Sequence, residues 1–198
     1  MTAIRRLGLF APLLALSLAG CGLNSVPTSE ENVNAKWGNV QSEYQRRADL
    51  VPNLVRTVER YADQERDVLT QVTQARAQAS SVQLNAADLS DPAKVRAFND
   101  AQTQLGSSLG RLLVTFERYP DLKSNQNFLT LQAQLEGTEN SILVARRDYN
   151  EAVQGYNTTI RTFPDAIGAK VFYGAKPKVP FEAASGAQNA PTIDFNAS

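Results

Sequence analysis

One helical seam runs through the first half of the chain. Val33, Trp37, Val40, Tyr44, Arg47, Val51, Leu54, Val58, Tyr61, Glu65, Val68, Val72, Ala75 and Ala79 recur at steps of four and three without a slip. That period belongs to a helix with one buried face, and a face about seven heptads long demands long partner helices to cover it. A helical start is signalled just upstream, where Thr28 and Glu31 have capping-box spacing and Ser29 competes as N-cap.

Pro52 interrupts the seam, because an internal proline forfeits one hydrogen bond and crowds the carbonyl of Ala48. Two geometries satisfy it. In one, a single helix continues from Ser29 to Ser80 with a kink, about 78 Å long. In the other, Asp49 caps a second helix that holds Pro52 in its first turn. Unbroken heptad phase favours the kinked helix, and matching of helix lengths favours the break. The kinked helix is the expectation adopted, and it leaves Trp37, Val40 and Tyr44 on an uncovered overhang.

Two more one-sided stripes follow. After a polar loop from Val82 to Asp91, Pro92 opens a helix carrying Val95, Phe98, Leu105, Leu109, Leu112, Phe116 and Tyr119, which stops before Pro120. A third stripe runs through Phe128, Leu131, Leu135, Glu139, Ile142, Arg146, Tyr149, Val153, Tyr156, Ile160 and Phe163 to Pro164. The expected fold is therefore all-α: an antiparallel up-down bundle over residues 29–164, with three long segments, or four if Pro52 breaks the first. Residues 165–198 lose the periodicity and read as an irregular, mobile tail.

Composition removes several classes of function. The 198 residues contain no His and one Cys, which excludes Ser-His-Asp and Cys-His catalysis, imidazole–zinc sites and disulfide frameworks. Twenty basic residues balance twenty acidic ones, so nothing favours nucleic acid. Neither a cofactor nor a small-molecule substrate is expected.

The first twenty residues read as a signal peptide. Arg5 and Arg6 precede a short apolar run ending in Leu18-Ala19-Gly20-Cys21. These four residues resemble the lipobox of bacterial lipoproteins, which implies cleavage before Cys21 and acylation of Cys21 itself. Residues 21–28 would form a lipid-anchored tether, with the membrane as a partner through the acyl chains. Gly22 rather than Asp after the cysteine resembles the signal for the outer membrane over the inner, with the domain facing the periplasm.

A wider resemblance begins at Arg46-Arg47-Ala48-Asp49-Leu50-Val51-Pro52-Asn53-Leu54-Val55. It continues through Thr57-Val58, Tyr61-Ala62, Ala75-Arg76, Tyr119-Pro120-Asp121-Leu122-Lys123, Thr138-Glu139-Asn140, Ala145-Arg146-Arg147, Tyr149-Asn150 and Tyr156-Asn157. This pattern resembles the LemA family of bacterial envelope proteins. The resemblance implies a membrane-anchored four-helix-type bundle exposed outside the cytoplasm, with no established enzymatic activity. It also implies work beside an envelope partner, such as a membrane metalloprotease or a TPM-domain protein. The lipobox departs from the transmembrane helix usual in that family, and Gln64 stands where the family often has His.

Candidate functional residues follow from these patterns. Arg47 and Glu65 on the first seam, and Glu139 and Arg146 on the third, are charges at buried positions and need partners. Glu139 or Glu117 is the expected mate of Arg47. Trp37, Val40 and Tyr44 on the overhang, and Ile193 and Phe195 in the tail, are candidate partner-binding residues. The leading functional expectation is a lipid-anchored interaction or scaffold protein. A spacing element comes second, and an enzyme using carboxylates third.

Overall fold

The computed structural model describes the backbone of residues 3–61 and 65–182, with side chains from residue 24 onward. Among these residues there are six helices and no strand: α1 (Ala3–Glu59), α2 (Arg66–Ser81), α3 (Pro92–Phe116), α4 (Pro120–Lys123), α5 (Gln126–Thr159) and α6 (Asp165–Gly168). A single 3-10 turn, Asp88–Ser90, precedes α3, and a π turn, Ala169–Tyr173, follows α6. The chain is an all-α antiparallel bundle in which α1, α2, α3 and α5 are the long members.

α1 passes through Pro52 without ending, and then stops at Glu59 rather than running on to Ser80. The single long helix and the break at Pro52 are both corrected: the chain reverses between Glu59 and Arg66, and α2 folds back beside α1 and α3. Heptad phase is blind to this, because seam residues on either side of a reversal face the same core. At the other end, the hydroxyls of Thr28 and Ser29 donate to the carbonyls of Asn24 and Val26 inside α1, so they cap nothing. The stretch expected to be a tether is helical, and Val26 in it is 1% exposed.

The later caps are local chemistry. The Asp91 carboxylate accepts from the backbone N–H groups of Ala93 and Lys94, with Pro92 in the first turn where no N–H is needed. Asn125 does the same for Asn127 and Phe128 at the start of α5.

Two apolar cores stack along the bundle. One holds Val51, Leu54 and Val58 of α1 against Leu69 and Val72 of α2, Leu105, Leu112 and Phe116 of α3, and Phe128 and Leu135 of α5. In the other, Val33, Trp37, Val40 and Tyr44 of α1 meet Phe98 of α3 and Ile142, Tyr149, Val153 and Tyr156 of α5. Here α2 has already ended, so Leu84 and Leu89 of the connecting loop and Phe181 close the fourth side.

The overhang is therefore corrected as well. Trp37 is 4% exposed, its Nε1 donates to the Leu84 carbonyl at 3.2 Å, and its ring packs on Phe98, Tyr149 and Phe181. Val40 and Tyr44 are buried with it. Covering this strip needs no partner protein, because the loop and the returning C-terminal segment supply the wall that α2 lacks.

Candidate functional site

Between the two cores lies a polar layer centred on Arg47. Its place on the α1 seam points the guanidinium inward, where the residue is 3% exposed. A buried guanidinium is tolerated when its charge is matched and its donor fork is used. Nη1 donates to Glu139 Oε1 of α5 at 2.9 Å, and Nη2 donates to the backbone oxygen and Oε1 of Gln102 of α3 at 2.9 and 2.8 Å. Gln102 Nε2 passes the chain on to the carbonyl of Ala79 of α2 at 3.3 Å. One residue from each long helix is thereby tied into a single level, with the Tyr44 ring 5.0 Å from the guanidinium carbon.

Outside this layer a groove opens between α1 and the end of α2, lined by Gln41, Gln45, Asp49, Gln83 and Gln102 with Tyr44 and Phe98. Its polar groups are mainly amides, which donate and accept hydrogen bonds without moving protons. Burial holds the Tyr44 phenol above its ordinary value, against the opposite pull of Arg146 and Arg47. Glu139 is already engaged by Arg47. The groove thus offers mainly amide hydrogen-bonding groups, with Asp49 and Arg46 as its charged residues.

A second construction was not expected from the sequence. Residues 175–182 return as an extended strap along α5. Asn157 donates to the Lys178 carbonyl at 2.8 Å and accepts from the Lys178 N–H at 2.9 Å. Seven residues earlier, Asn150 makes the same two-way pairing with Phe181, at 3.0 and 2.8 Å. The Val179 N–H donates to the Leu89 carbonyl, and the Tyr149 hydroxyl donates to the Val179 carbonyl. Pro177 and Pro180 have no N–H to satisfy. Lys178, also buried, donates to Glu30 Oε1 at 2.9 Å and to the Ala86 carbonyl at 3.0 Å. The tail read as mobile is thus bound to the bundle as far as Glu182. The strap enters through Gly174, whose φ of 54° favours glycine, and the Ala175 N–H donates to the Ala169 carbonyl to close the preceding turn.

The remaining sequence-derived candidates are dispersed. Glu65 lies between α1 and α2, where it accepts from the Tyr119 hydroxyl at 3.3 Å and stands 3.8 Å from Arg118, far along the bundle from Arg47. Glu117 is exposed at the C-cap of α3, so of the two carboxylates named for Arg47 it is Glu139 that makes the contact. Arg146 lies 4.7 Å over the Phe181 ring and donates to the Glu182 carbonyl, pairing with the strap. The side chain of Cys21 and the whole of Ile193 and Phe195 lie outside the described residues. Among the described residues, no group of three or more His, Cys, Asp or Glu side chains is placed to hold a metal ion.

The Arg47 layer and the paired tyrosine–asparagine steps that hold the strap all fall within residues 36–195, the stretch that matches the LemA family. The chain belongs to the LemA family. It is 27% identical over 140 residues to protein LemA of Metamycoplasma hominis, covering 71% of this chain and 60% of that one. It is 27% identical over 157 residues to magnetosome protein MamQ 2 of Paramagnetospirillum magneticum, covering 71% and 58%. With magnetosome protein MamQ of Magnetospirillum gryphiswaldense it shares 26% identity over 180 residues, covering 83% and 65%. The chain spans less than two thirds of the length of each of these relatives. Membership puts it among membrane-associated envelope proteins. Among the described residues, no helix is long and apolar enough to cross a membrane.

Proposed function

We propose that this LemA-family protein is a lipid-anchored scaffold of the cell envelope, held by acyl chains on Cys21, with its bundle in the periplasm and a protein partner rather than a reaction as its business. One observation carries the reading: α1 is unbroken from the lipobox into the bundle, and Val26, five residues past Cys21, is already core. Anchor and bundle would then be parts of one rigid element, which suits a protein that presents a fixed surface. The surface offered to the partner is the amide-rich groove beside Arg47, since Trp37, Val40 and Tyr44 are used internally. Gly22 after Cys21 supports the outer membrane over the inner.

Intact mass measurement on membrane-extracted protein is expected to show loss of residues 1–20 and a gain of acyl mass. Retention of Met1 would sink the anchor. Proximity labelling from the groove, compared with a Gln45→Arg variant, is expected to recover an envelope protein in stoichiometric yield from the wild type and to lose it in the variant. A pure spacer would return no such partner, and equal recovery from both proteins would exclude the groove.

A further inference from the structure

We infer that the hook following α5, residues 160–174 with α6 and the π turn, is a phospholipid-facing surface that seats the bundle against the membrane beside its anchor. The inference rests on the lipid anchor proposed above. Phe163, Ile167, Val171 and Phe172 are exposed together within ten residues, Phe163 at 82% and Phe172 at 68%. A run of large apolar side chains left bare in this way marks an interaction surface, whereas single exposed residues such as Val114 need no explanation.

The position of the hook names its occupant. α6 packs on α1, and the Ser25 hydroxyl donates to Asp165 Oδ1 at 2.6 Å. Ser25 is four residues past Cys21 on the same helix, a rise of about 6 Å. A bilayer that receives acyl chains at Cys21 therefore lies within reach of the hook and of nothing at the opposite end of the bundle. Charge agrees with this. Arg161, Lys170 and Lys176 are exposed around the apolar residues, while the carboxylates of residues 160–182 are Asp165, bonded by Ser25, and Glu182 at the far end of the strap. Glu30 on the facing part of α1 is engaged by Lys178 and Glu151 on α5 by Arg147, which leaves Glu31 as the exposed carboxylate of that stretch of α1. Apolar side chains rimmed by Lys and Arg match the boundary between acyl chains and anionic headgroups.

The consequence is orientation. Acyl chains alone tether the protein but let it tilt, while the hook adds a second point of attachment. The bundle would then stand on this end and hold the α3–α5 corner about 50 Å from the surface, the rise of α1 from Ser25 to Glu59.

The test places an additional tryptophan in the full-length protein purified from membranes, as Phe172→Trp or, on the exposed middle of α5, Leu143→Trp. The buried Trp37 gives a constant background. Each variant is reconstituted in phosphatidylethanolamine–phosphatidylglycerol vesicles containing brominated lipid, with helicity checked by circular dichroism and acyl mass by mass spectrometry. Quenching at position 172 is expected to be several-fold greater than at 143 and to fall in a Lys170→Glu, Lys176→Glu background. Equal quenching at the two positions would overturn the hook while leaving the anchor intact. Missing acyl mass with strong quenching at 172 would do the reverse.

Discussion

Arg76 Nε of α2 donates to the carbonyl oxygen of Ala48 at 2.7 Å, and that oxygen is the one Pro52 deprives of its helical partner. The cost of an internal proline is thus offset by a neighbouring helix, and α1 stays continuous where the sequence alone leaves a break open. The bond also fixes the height of α2 on α1.

Removing the donor by Arg76→Ala should cost about 1–3 kcal/mol, the penalty for a partly buried carbonyl left unpaired. In a Pro52→Ala background the restored N–H bonds Ala48 within the helix, and the same Arg76→Ala change should cost clearly less. Urea unfolding of the four proteins measures the difference. Strict additivity would mean that the two residues are not coupled.

The Arg47–Glu139 pair should respond asymmetrically. Arg47 is buried and feeds three acceptors, whereas the Glu139 side chain is 46% exposed. Arg47→Met should therefore cost about 2–4 kcal/mol, since it strands both acceptors of Gln102 in the interior. Glu139→Gln keeps an acceptor in place but leaves the buried guanidinium with neutral acceptors alone, so it should cost about 1–3 kcal/mol, less than Arg47→Met. Arg47→Lys should rescue little, because an ammonium has no planar fork to span two helices. Thermal unfolding of the three variants ranks them. Equal losses for Arg47→Met and Glu139→Gln would refute this account.

Much of this arrangement is written in local patterns. Asp91-Pro92 announces the start of α3, the stripes give the inward face of α3 and α5, and Arg47 at a seam position demands a partner. What the sequence conceals is where elements lie relative to one another. The reversal near residues 60–65 contains neither Gly nor Pro, and the seam keeps its phase across it. Trp37 reads as overhanging only when residues 82–91 and 175–182 are assumed to hang free. Two signals pointed to the strap. The steps Tyr149-Asn150 and Tyr156-Asn157 stand one heptad apart, and each tyrosine faces the core while the asparagine beside it meets the strap backbone. Pro177 and Pro180 each immediately precede a residue so bound. A short polar-looking segment whose hydrogen bonds go to side chains of a distant helix leaves no period to detect.

The strap should detach in steps. Asn157→Ala removes both bonds to Lys178, and Asn150→Ala both bonds to Phe181, each change costing about 1–3 kcal/mol. Because the two clamps hold one segment, the double variant should cost less than the sum, as the second clamp has little left to hold once the first is gone. Amide hydrogen exchange at Val179 and Phe181 should accelerate in all three variants while α2 and α3 stay protected. Uniform acceleration throughout the bundle would mean that the strap is inseparable from the global fold.

Alkaline pH should loosen the protein through its buried tyrosines. Burial pushes the Tyr156 phenol up to about 12, with Glu30 adding to the shift, and burial raises Tyr149 as well. In the unfolded chain both phenols ionise near the ordinary value of about 10. Because the folded values are the higher ones, the unfolded state releases protons first. The stabilisation is complete below about pH 10 and is lost as the pH climbs through the folded values. Urea midpoints should therefore hold steady up to about pH 9 and fall beyond about pH 10, and phenolate absorbance should lag until unfolding begins. Tyr156→Phe removes one of the three phenols that burial raises in this core, beside Tyr149 and Tyr44, and should flatten the fall in part. If the variant and the wild type instead decline in parallel, the alkaline transition belongs to groups other than the Tyr156 phenol.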